Sequence, residues 1–407
     1  MSVVTDTRET GPGTPGHETV ATDWRRVLRN NVRQYGMLVA LAVVCVFFQV
    51  QTGGILLRAQ NVTNLVQQNG YILILAIGMV IVIISGHIDL SVGSIAAFTG
   101  AFASIEMVNH HVSWPIAVLM CLVIGAVAGA WQGYWIAYVG IPSFIVTLSG
   151  MLVFRGATYV LLKGTTVGPL PKSFKTGFSG FLPGGKFGAY HGITLILGLV
   201  VAVGAIVQEI RDRRLLSRYG FPALGLPWFL LKLAAIAGVI VAFTLLLGSY
   251  AGFPNILIIL GVLLLGYGFV MRTTVIGRHV YAIGGNKAAA RLSGVKNNRV
   301  VFLVFLNMGI LSALAGLVAA ARLGAGAPNA GLNFELEAIA AAFVGGASAS
   351  GGVGTVLGAV IGGVLIGVLN NGMNLINVST DWQQIVKGLV LLAAVWFDVY
   401  NKKKAGG

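Results

Sequence analysis

Eleven stretches of this chain are apolar for long enough to cross a lipid bilayer, and they constrain the fold more than any motif does. Crossing about 30 Å of hydrocarbon at about 1.5 Å per helical residue takes roughly 17 to 25 residues. The stretches run over about residues 35–51, 67–85, 90–108, 113–139, 142–162, 191–208, 228–248, 254–271, 300–320, 353–371 and 382–399. A further one, Glu335–Gly346, is short. Only 10% of the 407 residues are charged, against roughly a quarter in soluble domains. That is too little charge to cover a water-facing surface, so the chain reads as an all-α polytopic membrane protein.

The net charge of +15 is distributed as topology, not as a nucleic-acid surface. Arg25, Arg26, Arg29 and Arg33 precede the first apolar run. Arg211, Arg213, Arg214 and Arg218 fill a middle loop, Arg272 to Arg299 a later one, and Lys402 to Lys404 close the chain. Basic clusters flanking apolar runs follow the positive-inside bias. Counting Glu335–Gly346 as a short or tilted crossing gives about twelve transmembrane helices with both termini cytoplasmic; as a re-entrant loop it would put the lysine tail outside. The crossing is favoured. Residues 1–22 then form a disordered cytoplasmic tail, 23–400 the membrane domain and 401–407 a basic cytoplasmic tail. Residues 163–190, rich in Gly and Pro, form an external connector without regular structure. Cys45 and Cys121 lie inside apolar runs and show neither a disulfide framework nor a metal pattern.

Ionisable residues inside such runs mark functional paths. Of the twelve acidic residues, Asp6, Glu9, Glu18 and Asp23 lie in the tail, Glu209 and Asp212 neighbour arginines, and Glu106, Asp381 and Asp398 fall at predicted helix ends. Asp89, Glu335 and Glu337 remain. Asp89 belongs to SGHIDLSVGS, residues 85–94, with His87, Ser91 and Ser94. IDLSVGSIAAFTG (88–100) and LEAIAAAFVGGAS (336–348) each place an acid ahead of a small-residue helix. Corresponding interrupted segments of repeated halves look like this, and so does a shared Ala/Gly composition. Gly125, Gly129 and Gly133 share a helix face and allow close packing in lipid.

No phosphate loop, metal-binding helix or nucleophile elbow is present, so the chain reads as a non-enzyme without a cofactor of its own. In the loop 272–299, Asn286 is placed to cap a short helix that begins KAAARL and stops at Gly294. It is either a lever docking into a cytoplasmic partner or a basic loop holding orientation.

SGHIDLSVGS, GRHVYAIGGNKAAARLSGV (277–295), RLGAGAPNAG (322–331), ELEAIAAAFVGGASASGGVG (335–354) and LNNGMN (369–374) together resemble the permease subunits of bacterial ABC importers for monosaccharides. IPSFIVTLSGMLVFRG (141–156), GTTVGP (164–169) and the extra pair of apolar runs at 191–248 are similar to the xylose branch. The resemblance implies a homodimer in the bacterial cytoplasmic membrane that forms one sugar path. It also implies an extracytoplasmic sugar-binding protein and a cytoplasmic ABC ATPase with two nucleotide-binding halves, which carries the ATP and Mg. It makes residues around Gly285, Asn286, Ala289, Arg291, Leu292, Ser293 and Gly294 the ATPase-coupling helix. His87, Glu337, Ala347 and Ala349 depart from the family's usual residues.

An uncharged, hydroxyl-rich sugar needs amide and hydroxyl groups along its path. Ser91, Ser94, Asn307, Asn370, Asn371 and Asn374 are available, and the asparagines equally suit interhelical hydrogen bonds. Trp131 and Trp135 read as interfacial anchors. Asp89 is expected to fix a helix break through the N–H groups of Ser91 and Val92. An alternative function is an autonomous secondary sugar carrier with Asp89 and His87 as a proton relay.

Overall fold

A computed structural model describes residues 32–219 and 225–405. The tail at 1–22, with Arg25, Arg26 and Arg29, lies outside the described residues. In chain order the helices are α1 (Val32–Gln51), α2 (Ala59–Ile84), α3 (Val92–Val108), α4 (Trp114–Tyr134, continued by a π turn at Trp135–Val139), α5 (Ser143–Leu162) and α6 (Lys172–Ser179). A two-stranded antiparallel ribbon, β1 (Lys186–Phe187) and β2 (Tyr190–His191), follows. Then come α7 (Gly192–Arg218), α8 (Leu226–Ser249), α9 (Asn255–Thr273), α10 (Val275–Gly285), α11 (Lys287–Leu292), α12 (Asn297–Leu323), α13 (Phe334–Val344), α14 (Val356–Leu375) and α15 (Thr380–Ala405). Among the described residues nine helices are long and apolar enough to span a membrane, and Gly36–Gln51 and Val92–Val108 are shorter apolar helices.

The chain divides into two compact units, and Leu199–Val241 belongs to the smaller. Within it Arg213 lies 4.4 Å over the ring of Phe229, and Lys232 pairs with Glu209 at 2.6 Å. Arg211 to Arg218 are helical, as the last turns of α7, not a loop. Arg and Leu are good helix formers, so the helix runs on past its apolar stretch.

In the larger unit α2 and α14 are the most buried of the long helices, and they form the core with α3, α12 and α13. The α4–α12 contact is made by glycine. A Cβ on Gly125 would lie 2.5 Å from the carbonyl oxygen of Gly309, and one on Gly309 would collide with the carbonyl oxygen of Gly125 and sit 2.7 Å from the amide nitrogen of Gly129. Without a hydrophobic drive between helices in lipid, such backbone approach supplies the dispersion contact that holds them.

Three expectations need correction. Helix α2 begins at Ala59, not near 67, because its polar first turns have partners: Asn61 bonds to Asn371 at 2.8 Å and Gln67 to the carbonyl of Ser179 at 2.8 Å. Residues 163–190 are not irregular. They hold α6, whose Phe174 and Phe178, four apart on one face, are both buried, as well as the β ribbon. The loop 272–299 contains α10 besides the expected short helix, because Val280 and Ile283 are buried and share a face. The run at 335–346 is short, as expected, and forms α13 of 11 residues.

The chain ahead of α13 is not helical. A Cβ on Gly326 would meet Ser104 and Ala101 in the last turns of α3, whereas Gly331 abuts Gly93 and Ala97 in the first. From 326 to 331 the chain therefore passes from the last turns of α3 to its first, through a turn that the Ala330 N–H closes on the Ala327 carbonyl at 3.1 Å. At the opposite end, residues 85–91 approach the start of α3 without helical structure. Both α3 and α13 begin inside the bundle, and their first turns meet where Gly93 faces Glu335.

Replacing Gly309 with alanine should lower the thermal stability of the detergent-solubilised protein by about 1–3 kcal/mol, because the methyl group must push α4 and α12 apart. Gly261→Ala in α9, where no atom lies within 4 Å of the added carbon, should leave it unchanged. Equal melting temperatures for the two variants would refute the close packing.

Candidate translocation site

The first interrupted segment is built from capping interactions. Helix α2 closes at Ile84, the Ser85 hydroxyl donates to the carbonyl of Val82 at 2.7 Å, and Gly86 turns the chain at φ +84°, a left-handed conformation that glycine adopts without strain. Asp89 is 2% exposed. Its Oδ1 accepts from the Ser91 N–H at 2.9 Å and the Ser91 hydroxyl at 2.6 Å. The Ser91 oxygen in turn accepts from Gln132 Nε2 at 2.8 Å. Among the described residues these bonds reach Ser91 and not Val92, so the carboxylate closes a side-chain turn ahead of α3 rather than bonding the helix interior. Gly150 makes room for Gln132, since a Cβ there would lie 2.5 Å from Nε2. No described hydrogen bond joins Asp89 to His87, whose ring stands edge-on to Phe305 at 5.8 Å.

At the start of α13 Glu335 is 7% exposed, and its Oε2, packed against Gly93, has no hydrogen-bond partner among the described residues. One residue further along α3, the Ser94 oxygen receives Nε and Nη2 of Arg155, both at 3.4 Å. Glu337, also in the first turn of α13, uses one oxygen twice: Oε1 accepts from Asn370 at 3.0 Å and from Lys387 at 3.1 Å. Sequence reasoning missed Gln132, Arg155 and Lys387. The signal for the last two was present, because each is the one cation inside an otherwise apolar run, Arg155 in 142–162 and Lys387 in 382–399.

The remaining polar candidates lie elsewhere. Asn371 exchanges hydrogen bonds with Asn61 at 2.8 and 3.2 Å, and Asn374 accepts from Gln383 at 2.7 Å. These two behave as helix-to-helix bonds. Asn307 accepts from the hydroxyl of Tyr267 and borders a separate groove of about 540 Å³ with Ile81 and Val304. Trp131 and Trp135 point outward, 41% and 37% exposed. Thus Asp89 with Ser91, Ser94 with Glu335, and Glu337 with Asn370 cluster around the two interrupted helices, and Asn307, Asn371 and Asn374 do not join them.

The segment 274–294 is a pair of capped helices. Thr274 Oγ1 accepts from the Gly277 N–H at 3.3 Å, and Asn286 Oδ1 accepts from the Ala289 N–H at 3.0 Å. Gly294, φ +84°, ends the turn beyond α11. Ala290 is buried, while Arg291 and Leu292 project outward, Leu292 87% exposed. Asn297 ties the start of α12 to the carbonyl of Lys287 at 2.9 Å.

At its other end this element reaches both interrupted segments. The Gly352 N–H donates to the carbonyl of Ile84, the last residue of α2, at 2.8 Å. A Cβ on Gly284 would collide with that same carbonyl and sit 2.5 Å from the Gly352 nitrogen. A Cβ on Gly351 would lie 2.9 Å from the carbonyl of Gly284 and 3.1 Å from Cα of Gly86. The Tyr281 hydroxyl donates to the carbonyl of Gly354 at 2.8 Å. Three main chains, the entry to α3, the exit from α13 and the end of α10, meet at one joint that only glycine admits.

Comparison with known proteins agrees with this architecture. The family model for the branched-chain amino acid transport system / permease component matches residues 61–395. The xylose transport system permease protein XylH of Haemophilus influenzae is 44% identical over 374 residues, 92% of this chain and 98% of the relative. XylH of Escherichia coli is 42% identical over 376 residues, 92% and 94% of the two chains. The ribose import permease protein RbsC of Escherichia coli is 35% identical over 344 residues, 84% and 86%. No solved structure matches the chain. The chain belongs to the family described as the branched-chain amino acid transport system / permease component.

Proposed function

We propose that this chain is the membrane permease of an ATP-driven importer for a monosaccharide, xylose or a closely related sugar. The observation that carries the reading is the likeness to two xylose permeases over 92% of the chain. The family description names amino acids, but the relatives that cover the chain are named for pentoses. In the proposed assembly two copies form a homodimer in the cytoplasmic membrane, an extracytoplasmic binding protein delivers the sugar, and an ABC ATPase with two nucleotide-binding halves holds ATP and Mg.

The nine long helices, the two shorter apolar ones and α13 with its extended approach make twelve crossings. Both termini are then cytoplasmic, and so are the end of α7 and the whole of α10 and α11. That places the coupling element, Gly285 to Gly294, where an ATPase can reach Arg291 and Leu292. Movement of this element is passed to α3 and α13 together through the Gly284, Gly351 and Gly352 joint. Cytoplasmic and external access then change in one step, as alternating access requires. The carrier alternative needs a proton route from Asp89 to His87, and the described bonds of Asp89 go to Ser91 instead.

In proteoliposomes holding this chain, its ATPase and its binding protein, D-xylose should stimulate ATP hydrolysis and L-leucine should not. Stimulation by leucine, or by no sugar at all, would contradict the sugar assignment. Arg291→Glu should reduce that stimulation by about tenfold or more through charge reversal at the docking face, with the dimer intact by size-exclusion chromatography; undiminished stimulation would remove Arg291 from the contact. Asp89→Asn replaces a charge-assisted cap by a neutral one. It should lower thermal stability by about 1 kcal/mol, with transport falling in step. Transport lost without any change in melting temperature would place Asp89 in the sugar path itself.

A further inference from the structure

We infer that the cavity between α13, α14 and α15 is a transient binding site for a neutral monosaccharide, with Glu337 accepting and Lys387 donating hydrogen bonds to sugar hydroxyls. The inference rests on the sugar reading above and adds to it a place and a set of contacts.

The cavity has a volume of about 140 Å³ and opens on one side; Glu337, Gln384 and Lys387 meet the apolar side chains of Leu336, Ile366 and Leu391 on its wall. A pentose presents hydroxyls around its rim and C–H groups on its faces, and polar groups set in an apolar wall match that pattern. The polar groups here have bonding capacity to spare. Glu337 uses only Oε1 for Asn370 and Lys387, which leaves Oε2. An ammonium group has three N–H donors, and the described bond of Lys387 takes one. Behind Glu337 the Asn370 Oδ1 is buried without a hydrogen-bond partner among the described residues.

A purely structural role would be a pin holding α15 to α13, and it needs neither the cavity nor these unused groups. A hydroxyl of a neutral sugar can bond to Oε2 and to a free N–H while the 3.1 Å ion pair stays closed. A zwitterionic amino acid would have to open the pair to use its charges, so the chemistry favours a polyol.

The second interrupted helix supports the assignment independently. In each half of the molecule, the helix that begins inside the bundle is followed by one further helix and then by a helix carrying a single inward-bonded cation. Arg155 on α5 bonds to Ser94 on α3, and Lys387 on α15 bonds to Glu337 on α13. A cation repeated at corresponding places marks these two helices as walls of one path, because charge at such positions costs energy that a lipid-facing helix would not recover.

The test uses the assembled complex in proteoliposomes, with Cys45→Ala and Cys121→Ala removing the native thiols and Gln384→Cys placing a thiol at the cavity. N-ethylmaleimide should label that thiol at least fivefold more slowly when millimolar D-xylose is present during turnover, and L-leucine should have no effect. Adding Glu337→Gln, which preserves shape, or Lys387→Met should abolish the protection while the ATPase still copurifies. A complex that imports xylose but whose labelling rate ignores the sugar overturns the site. Protection that survives in both Glu337→Gln and Lys387→Met also overturns it. A complex that imports no sugar contradicts the functional reading itself and the site with it.

Discussion

Backbone that leaves a helix inside a membrane has nowhere to place its N–H and C=O groups except against protein. Two segments of this chain do leave it, at residues 85–91 and 324–333, and much of the bundle is arranged around them. The first is closed by Ser85, Asp89 and Ser91 using their own side chains. The second pairs its start with the segment 163–190, where Gly326 and Val167 exchange main-chain hydrogen bonds at 2.9 Å, and then packs its main chain along α3. Helices α2 and α12 flank both and are buried along most of their length, which keeps lipid away from the exposed peptide groups.

The same geometry explains where the polar residues sit. Helices that begin in the interior present first turns whose N–H groups have no partner within the helix and carry partial positive charge. Asp89 stands ahead of one such turn and Glu335 and Glu337 lie within the other. The carboxylates thus stabilise the breaks, and the cations of α5 and α15 balance part of their charge. Bonding capacity is left over: Glu335 Oε2 is buried without a partner among the described residues, and so is Asn370 Oδ1 beside Glu337. Function and the cost of interrupting a helix share the same residues.

Much of this was legible in the chain alone. Apolar run length located the long helices, because lipid imposes one element type and one minimum length. The Asn286 cap and the stop at Gly294 were readable because capping depends on neighbours within four residues. The glycine face of α4 was readable from a spacing of four. The polar onset of α2 was not, since Asn61 and Gln67 are helical only through partners 310 and 112 residues away. Nor was the path of 326–333, which has no periodicity and follows contacts with α3. Arg155 and Lys387 were visible as lone charges, yet their partners come from helices distant in sequence. Asn307, Asn371 and Asn374 show the converse: residue type left a path and interhelical hydrogen bonds equally open, and in the structure each makes a bond to another helix.

The joint of Gly284, Gly351 and Gly352 with the end of α2 is where α10 and both interrupted segments meet, so under the proposed function the ratio of sugar imported to ATP hydrolysed is the most direct measure of what it does. For Gly284→Ala in the assembled complex, transmission through the joint predicts ATP hydrolysis near the unmodified rate, with import per ATP reduced about tenfold or more. A variant that assembles and imports sugar at the unmodified ratio would contradict transmission through these glycines.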